Sequence, residues 1–196
     1  MSARITKSLK EAVEVLKNGG VVVFPTETCY GIGCDATNSE AVKRVKAIKK
    51  RSDDMPIRVI VKDMEMAEQY GEFSDTARML AKRHWPGPLT VVMPPGKKKM
   101  SDDLAQDGSV GMRVSSDPLV SEIVAGIDAP LVATSANVHK SPSTYKVEDA
   151  VAQFEKSGME PDLYFDGGEL KFTPPSMVIE VIDGEVVVHR QGSFKL

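Results

Sequence analysis

Hydroxyl, amide and guanidinium groups recur in or just after short apolar runs of this chain: Thr26, Arg113, Ser135, Asn137, Ser143, Ser176 and Arg190. Arginine offers paired donors to a carboxylate or phosphate, and small hydroxyls add hydrogen bonds without bulk. Such a set suits an anionic ligand with several oxygens. Taken singly, the arginines also read as strand ends and the serines as turn formers. A second cluster is the basic run 43–51, six positive charges in nine residues. Lys49 and Arg51 sit at its C-terminal end, where a helix dipole favours cations. The run reads either as a solvated helix face or as a surface on which Lys49 and Arg51 reach a triphosphate while the rest touches RNA backbone.

Other chemistries find no support. No Walker-type phosphate loop is present, and Gly31-Ile32-Gly33 lacks the third glycine of a dinucleotide fingerprint. No local motif suggests a Ser-His-Asp or Cys-His arrangement. Cys29 and Cys34 have no CxxC spacing and no histidine nearby, and His84, His139 and His189 are scattered. A resident metal site is therefore not expected, and free thiols in a reducing cytoplasm are. The net charge of −3 excludes a generic polyanion binder, so any nucleic-acid surface must be a local patch. The apolar runs are too short to span a membrane, and the N-terminal stretch has no signal-like apolar core.

These groups must be positioned by a framework of alternating strands and helices. With 196 residues the chain suits one domain, residues 1–196. Val21 to Phe24 reads as a strand buried on both faces, ended by Pro25 and followed by a loop from Thr26 that carries Gly31 and Gly33. Hydroxyls displayed past such a strand are where open α/β sheets place ligands. Helices are expected after Ser8, after Ser39, over 64–70, from Ser74 to His84, after Asp117-Pro118 and over 147–156. Strands are expected at Ile57–Val61, Leu89–Met93, Val110–Val114, Leu131–Ala133, Leu163–Phe165 and Met177–Ile182, the last turned by Asp183-Gly184 into Val186–His189. Residues 94–108 lack periodicity and read as a mobile surface loop. The sum is an α/β domain on a mixed, strongly twisted sheet.

Read in order, FPTETCYGIG (24–33), Lys49-Lys50-Arg51 followed by Pro56, WPGPLT (85–90), Val110-Gly-Met-Arg113 and Thr134-Ser-Ala-Asn137 resemble the YrdC family over almost the whole chain. The resemblance implies a twisted mixed sheet flanked by helices around a positively charged concave cavity. It implies a threonylcarbamoyl-AMP synthase, a nucleotidyltransferase joining L-threonine, bicarbonate and ATP into threonylcarbamoyl-AMP and pyrophosphate. A separate transferase then carries the group to adenosine 37 of tRNA. Carried over by residue, it places Thr26, Arg113 and Ser176 on threonine, and Lys49, Arg51, Ser109, Ser135, Asn137, Ser143 and Arg190 on the nucleotide, with Lys49 and Arg51 catalytic. Mg²⁺ would arrive with ATP, with no protein metal site. Closure of 94–108 would exclude water. The alternative is a non-catalytic module binding tRNA or double-stranded RNA on the same basic face. The chain resembles the short branch of the family, without the extra C-terminal domain of longer members. Some members also have a histidine where Ile60 stands, and Arg58, an unusual charge in this strand, is a candidate to compensate.

Overall fold

The structure, a computed structural model, describes residues 3–52, 55–105, 107–192 and 194. Strand pairing divides between two sheets. The first has five strands: β1 (Ile5–Thr6), β2 (Val22–Phe24), β3 (Gly31–Gly33), β8 (Thr134–Ser135) and β9 (Leu163–Phe165), in the order β1-β9-β2-β3-β8. The second has six: β4 (Val59–Ile60), β5 (Leu89–Met93), β6 (Val110–Arg113), β7 (Leu131–Val132), β10 (Met177–Ile182) and β11 (Glu185–Arg190), in the order β11-β10-β5-β6-β4-β7. Both mix parallel and antiparallel pairs. The expected mixed α/β architecture is present, but as two sheets instead of one.

Helices α1 (Leu9–Lys17), α2 (Ser39–Lys49), α3 (Met64–Tyr70), α4 (Asp75–His84), α5 (Pro118–Ile127) and α6 (Val147–Ser157) flank them. Their starts follow capping chemistry. Ser8 Oγ accepts from the Glu11 amide, and the Asp117 carboxylate accepts from the Leu119 and Val120 amides with Pro118 in the first turn. For α2 the cap is Asn38, one residue before the expected Ser39, because the Asn38 side chain accepts from the Ala41 amide. Buried residues of both sheets and of all six helices join one hydrophobic cluster. Among the described residues, no helix is long and apolar enough to cross a membrane.

Two further differences from the sequence reading bear on the site. Gly31-Ile32-Gly33 is not loop but strand, paired antiparallel to β2 on one side and β8 on the other. A side chain there would collide: a Cβ on Gly33 would lie 1.7 Å from the Val132 carbonyl oxygen, which is backbone and cannot give way. Residues 94–108 are anchored rather than mobile. Pro95 bridges Gly71, the Ser101 amide donates to Ala36 O, a 3₁₀ turn covers Asp102–Leu104, and the Ile57 amide donates to Leu104 O. With Leu104 buried, this segment is built into the fold and gives no ready lid; its Gln106 lies outside the described residues.

Candidate functional site

A cavity of about 580 Å³ opens where the two sheets meet. Residues 131–135 run straight from β7 of one sheet into β8 of the other, and midway the Ala133 amide donates to Arg58 O at 3.1 Å. Seven of the ten residues expected at the site line this cavity: Thr26, Arg51, Arg113, Ser135, Ser143, Ser176 and Arg190. Lys49, Asn137 and Ser109 do not line it.

One wall is a face of the six-stranded sheet, and its register explains which residues meet. Arg190 lies opposite Val178, Val178 opposite Thr90, and Arg113 opposite Ile60; the Val91–Met112 pair brings Thr90 alongside Arg113. Arg190, Thr90 and Arg113 thus stand in one row across four strands. Between Val178 and Ile179 the β10–β11 register shifts by one, so His189 is an extra residue and both His189 and Arg190 line the cavity. Bulges commonly re-aim side chains beside functional sites in this way. Arg190 Nε donates to Ser176 O and Nη2 to Ser176 Oγ, both at 2.9 Å, and Ser176 Oγ lies 3.2 Å from Thr90 Oγ1. Burial lowers the Arg190 pKa, yet a guanidinium starts high enough to stay charged.

Arg113 pairs through Nη1 with Glu27 Oε1, and Ser115 Oγ donates to Glu27 Oε2 at 2.7 Å. The two charged side chains are only 10% and 16% exposed. Burial first, then the charge of Arg190, pulls the Arg113 guanidinium down to about 10, so it remains cationic at neutral pH. Glu27 supplies the countercharge and fixes the fork.

The opposite wall comes from the 26–31 turn and residues 133–143. Thr26 Oγ1 donates to Cys29 O at 2.7 Å and sits 3.0 Å from Thr28 Oγ1. Burial raises the Cys29 pKa above its ordinary value, which keeps it a thiol and a poor nucleophile. Lys49 does not project from an open helix face but is 3% exposed, beneath the segment that ends this wall. Its ammonium donates to Ser135 O, to Asn137 O at 2.7 Å and to Asn137 Oδ1 at 3.4 Å, so three N–H groups meet three oxygens. Asn137 Nδ2 in turn donates to Val138 O and Ser141 O. Lys49 and Asn137 therefore brace the wall from behind. Burial, with the Arg51 charge second, pushes the Lys49 ammonium down to about 7. Ser109 lies outside the lining, its amide donating to the Asp107 carboxylate.

The rest of the basic run divides between surface and interior, with Lys43, Arg44 and Lys50 exposed. Arg44 pairs with Asp162 at 2.8 Å, Lys43 with Glu40 at 3.0 Å, and Lys46 is buried. Arg51 lines the cavity with Nη2 donating to Pro56 O at 2.8 Å.

Sequence reasoning missed Glu27 and Ser115 as the partners that orient Arg113. Their signal was modest: Glu27 adjoins Thr26, and Ser115 follows Arg113 by two residues, on the same side of an extended chain. It also missed the aromatic pair at the cavity, Tyr145 and Phe172, with ring centroids 6.0 Å apart. Phe172 is 75% exposed and belongs to a strap, residues 166–176, held by the Tyr30 hydroxyl, which donates to Gly168 O and accepts from the Gly167 amide. Four arginines, 51, 58, 113 and 190, and no carboxylate line the cavity among the described residues. That composition suits a ligand carrying several negative charges.

Comparison with known proteins shows the family and the fold. The Sua5/YciO/YrdC family model, described as "Telomere recombination", matches residues 14–192. A relative from Psychromonas ingrahamii named threonylcarbamoyl-AMP synthase is 30% identical over 181 residues, covering 90% of this chain and 94% of its own. The crystal structure of Pyrococcus abyssi Sua5 complexed with L-threonine superposes with a TM-score of 0.85 at 29% identity, covering 97% of this chain and 57% of that one. This chain thus spans little over half of that relative. Escherichia coli YciO superposes with a TM-score of 0.83 at 27% identity, covering 98% of this chain and 95% of its own.

Proposed function

Because the chain belongs to the Sua5/YciO/YrdC family, we propose that it is a threonylcarbamoyl-AMP synthase, consuming L-threonine, bicarbonate and ATP and releasing pyrophosphate. The observation that carries this reading is the cavity in which four guanidiniums and several hydroxyls converge. The threonine amine captures carbon dioxide derived from bicarbonate as an N-carboxylate. A carbamate oxygen then attacks the α-phosphorus of ATP, forming one P–O bond as the bond to pyrophosphate breaks. Both reactants are anions, so neutralisation and alignment are the main tasks. Bringing them together in one site is an effect of up to ~7–11 kcal/mol, and one positioned donor adds about 3 kcal/mol.

In this reading Arg113, oriented by Glu27, holds the threonine carboxylate, with Thr26 and Ser176 on the remaining polar groups. Arg51 and Arg190 face the phosphates, and Ser135 and Ser143 face the nucleotide. Lys49 and Asn137 act as positioning residues that hold the Ser135 segment in place, and Ser109 would need to approach from outside the cavity. Magnesium enters as part of the nucleotide substrate and keeps most of its own waters. The product passes to a transferase acting on adenosine 37 of tRNA. The two free cysteines, Cys29 and Cys34, fit a reducing cytoplasm.

The test is incubation with ATP, bicarbonate and each of several amino acids, following pyrophosphate and the acyl-adenylate. Threonine-dependent release that disappears in Arg51→Ala is expected. Release that no amino acid stimulates would refute the reading.

A further inference from the structure

Arg58 is a charged residue at a position the established motifs leave unused. It stands two residues before Ile60, so both side chains lie on the same face of the extended chain. Beside it runs Gly111 of β6, where an added Cβ would come within 2.2 Å of Arg58 Cδ and 2.8 Å of Nε. The arginine stem therefore lies flat in a groove that only glycine leaves open. This carries the guanidinium to the cavity, which it lines. There its Nη1 is buried and has no hydrogen-bond partner among the described residues. The other cavity arginines differ: Arg113 has Glu27, Arg190 has Ser176, and Arg51 has Pro56 O.

A buried N–H of a permanent cation without an acceptor is costly, and a protein tolerates it where a ligand supplies the acceptor. The charges around Arg58 narrow what that ligand is. Arg190 and Arg51 are like charges that act on it, while Asp107 and Glu180 act as counter-charges. Glu180 is engaged by His189 at 2.8 Å and Asp107 by the Ser109 amide. Three guanidiniums sharing one space repel one another until a group with several negative oxygens enters between them. One carboxylate would satisfy one fork and leave two.

We propose that Arg58 is a third polyphosphate-binding arginine of this cavity, acting with Arg51 and Arg190 on the phosphate chain of the nucleotide. The nucleotide's identity rests on the synthase reading; the polyphosphate chemistry rests on the geometry alone. Arg58 grips phosphate oxygens through its guanidinium, and Gly111 is the residue that gives it access.

The experiment measures binding of inorganic tripolyphosphate, ATP and AMP by calorimetry, alongside KM values for ATP and threonine. Arg58→Met should weaken tripolyphosphate and ATP by ~10–100-fold, the loss of one charge-assisted contact. AMP affinity and the threonine KM should move little. Arg58→Lys, which keeps the charge without the fork, should lose affinity several-fold and guards against a folding defect in the Met variant. Gly111→Ala should reproduce the loss in the wild-type background and add nothing in Arg58→Met, a coupling that general destabilisation would not produce. The proposal is overturned if wild-type protein binds no tripolyphosphate, if the Arg58 variants bind it normally, or if the threonine KM rises in place of that for ATP. Arg58-dependent tripolyphosphate binding without threonine-dependent turnover would instead sink the synthase reading and leave Arg58 assigned.

Discussion

Removing Glu27 should strand a buried cation, and the size of the effect follows from its surroundings. Arg113 is 8% exposed, and its Nη1 pairs with Glu27, whose second oxygen accepts from Ser115. Truncating one partner of a buried ion pair typically costs ~3–5 kcal/mol, because the other charge remains without compensation. Against a total stability on the order of 5–15 kcal/mol, that is a large share. Thermal unfolding of Glu27→Ala should therefore fall by about 6–20 °C, at roughly 2–4 °C per kcal/mol for a chain of this length. Glu27→Gln keeps one acceptor oxygen for an arginine N–H, with its amide N–H donating to the Ser115 hydroxyl instead, and should lose about half as much. The decisive variant is the double one. Glu27→Leu with Arg113→Met swaps the pair for apolar groups of similar length, which is often near neutral in stability. It should unfold close to wild type while losing all threonine response. Urea unfolding of wild type, Glu27→Leu, Arg113→Met and the double variant supplies the coupling energy directly. A Glu27→Ala stability within about 0.5 kcal/mol of wild type, the scatter of ordinary surface changes, would show that the pair is not buried as described.

Two further outcomes can be measured. For Lys49 the folded pKa of about 7 lies below the usual lysine value, so between these limits the unfolded chain binds the extra proton and stability must rise with pH. The slope should approach ~1.4 kcal/mol per pH unit from about pH 7 to 10, flat below pH 7, where both states are protonated and the burial cost is fully present. Lys49→Met should lack this slope, and parallel pH profiles for the two proteins in urea unfolding would contradict it. Gly33→Ala should cost several kcal/mol or prevent folding, since its Cβ would meet the Val132 carbonyl at 1.7 Å; a Tm unchanged from wild type would mean that the two sheets can part there at no cost.

Local chemistry made much of the fold legible. The bounds of α3, β5, β9 and β10 follow from apolar patterning, and the start of α5 from its Asp117-Pro118 cap. What stayed hidden depends on distance along the chain. β3 is a strand because β2 and β8 pair with it, and its glycines carry no strand propensity of their own. The division into two sheets turns on the five residues 131–135, too short a run for any periodicity to reveal a crossing. The basic run pointed outward by composition, yet Lys49 is buried because three oxygens of a segment 86–88 residues away meet its ammonium. At the site, the arginines and hydroxyls were readable as residue types at strand ends. Their partners were not: Glu27 and Arg113 are 86 residues apart, and nothing in either local sequence specifies the other.

The partners sort the four cavity arginines by how far each is preorganised. Arg113 is fixed by a carboxylate, Arg190 by two bonds to Ser176, and Arg51 by backbone carbonyls, whereas Arg58 has a buried N–H with no partner. A carboxylate partner lowers the net charge that Arg113 offers, which suits a monoanion such as an amino acid. Neutral partners, the Ser176 carbonyl and hydroxyl, leave Arg190 with its full charge, which suits phosphates. Arg113 and Arg190 thus differ in net charge although both are arginines, and under the proposed function this difference would orient two anionic substrates before either touches the other. An oxygen nucleophile held beside Arg113 and a triphosphate drawn toward Arg51, Arg58 and Arg190 would meet near Thr90 and Ser176, the uncharged residues between them. In that arrangement the departing pyrophosphate would move toward the cations that stabilise it.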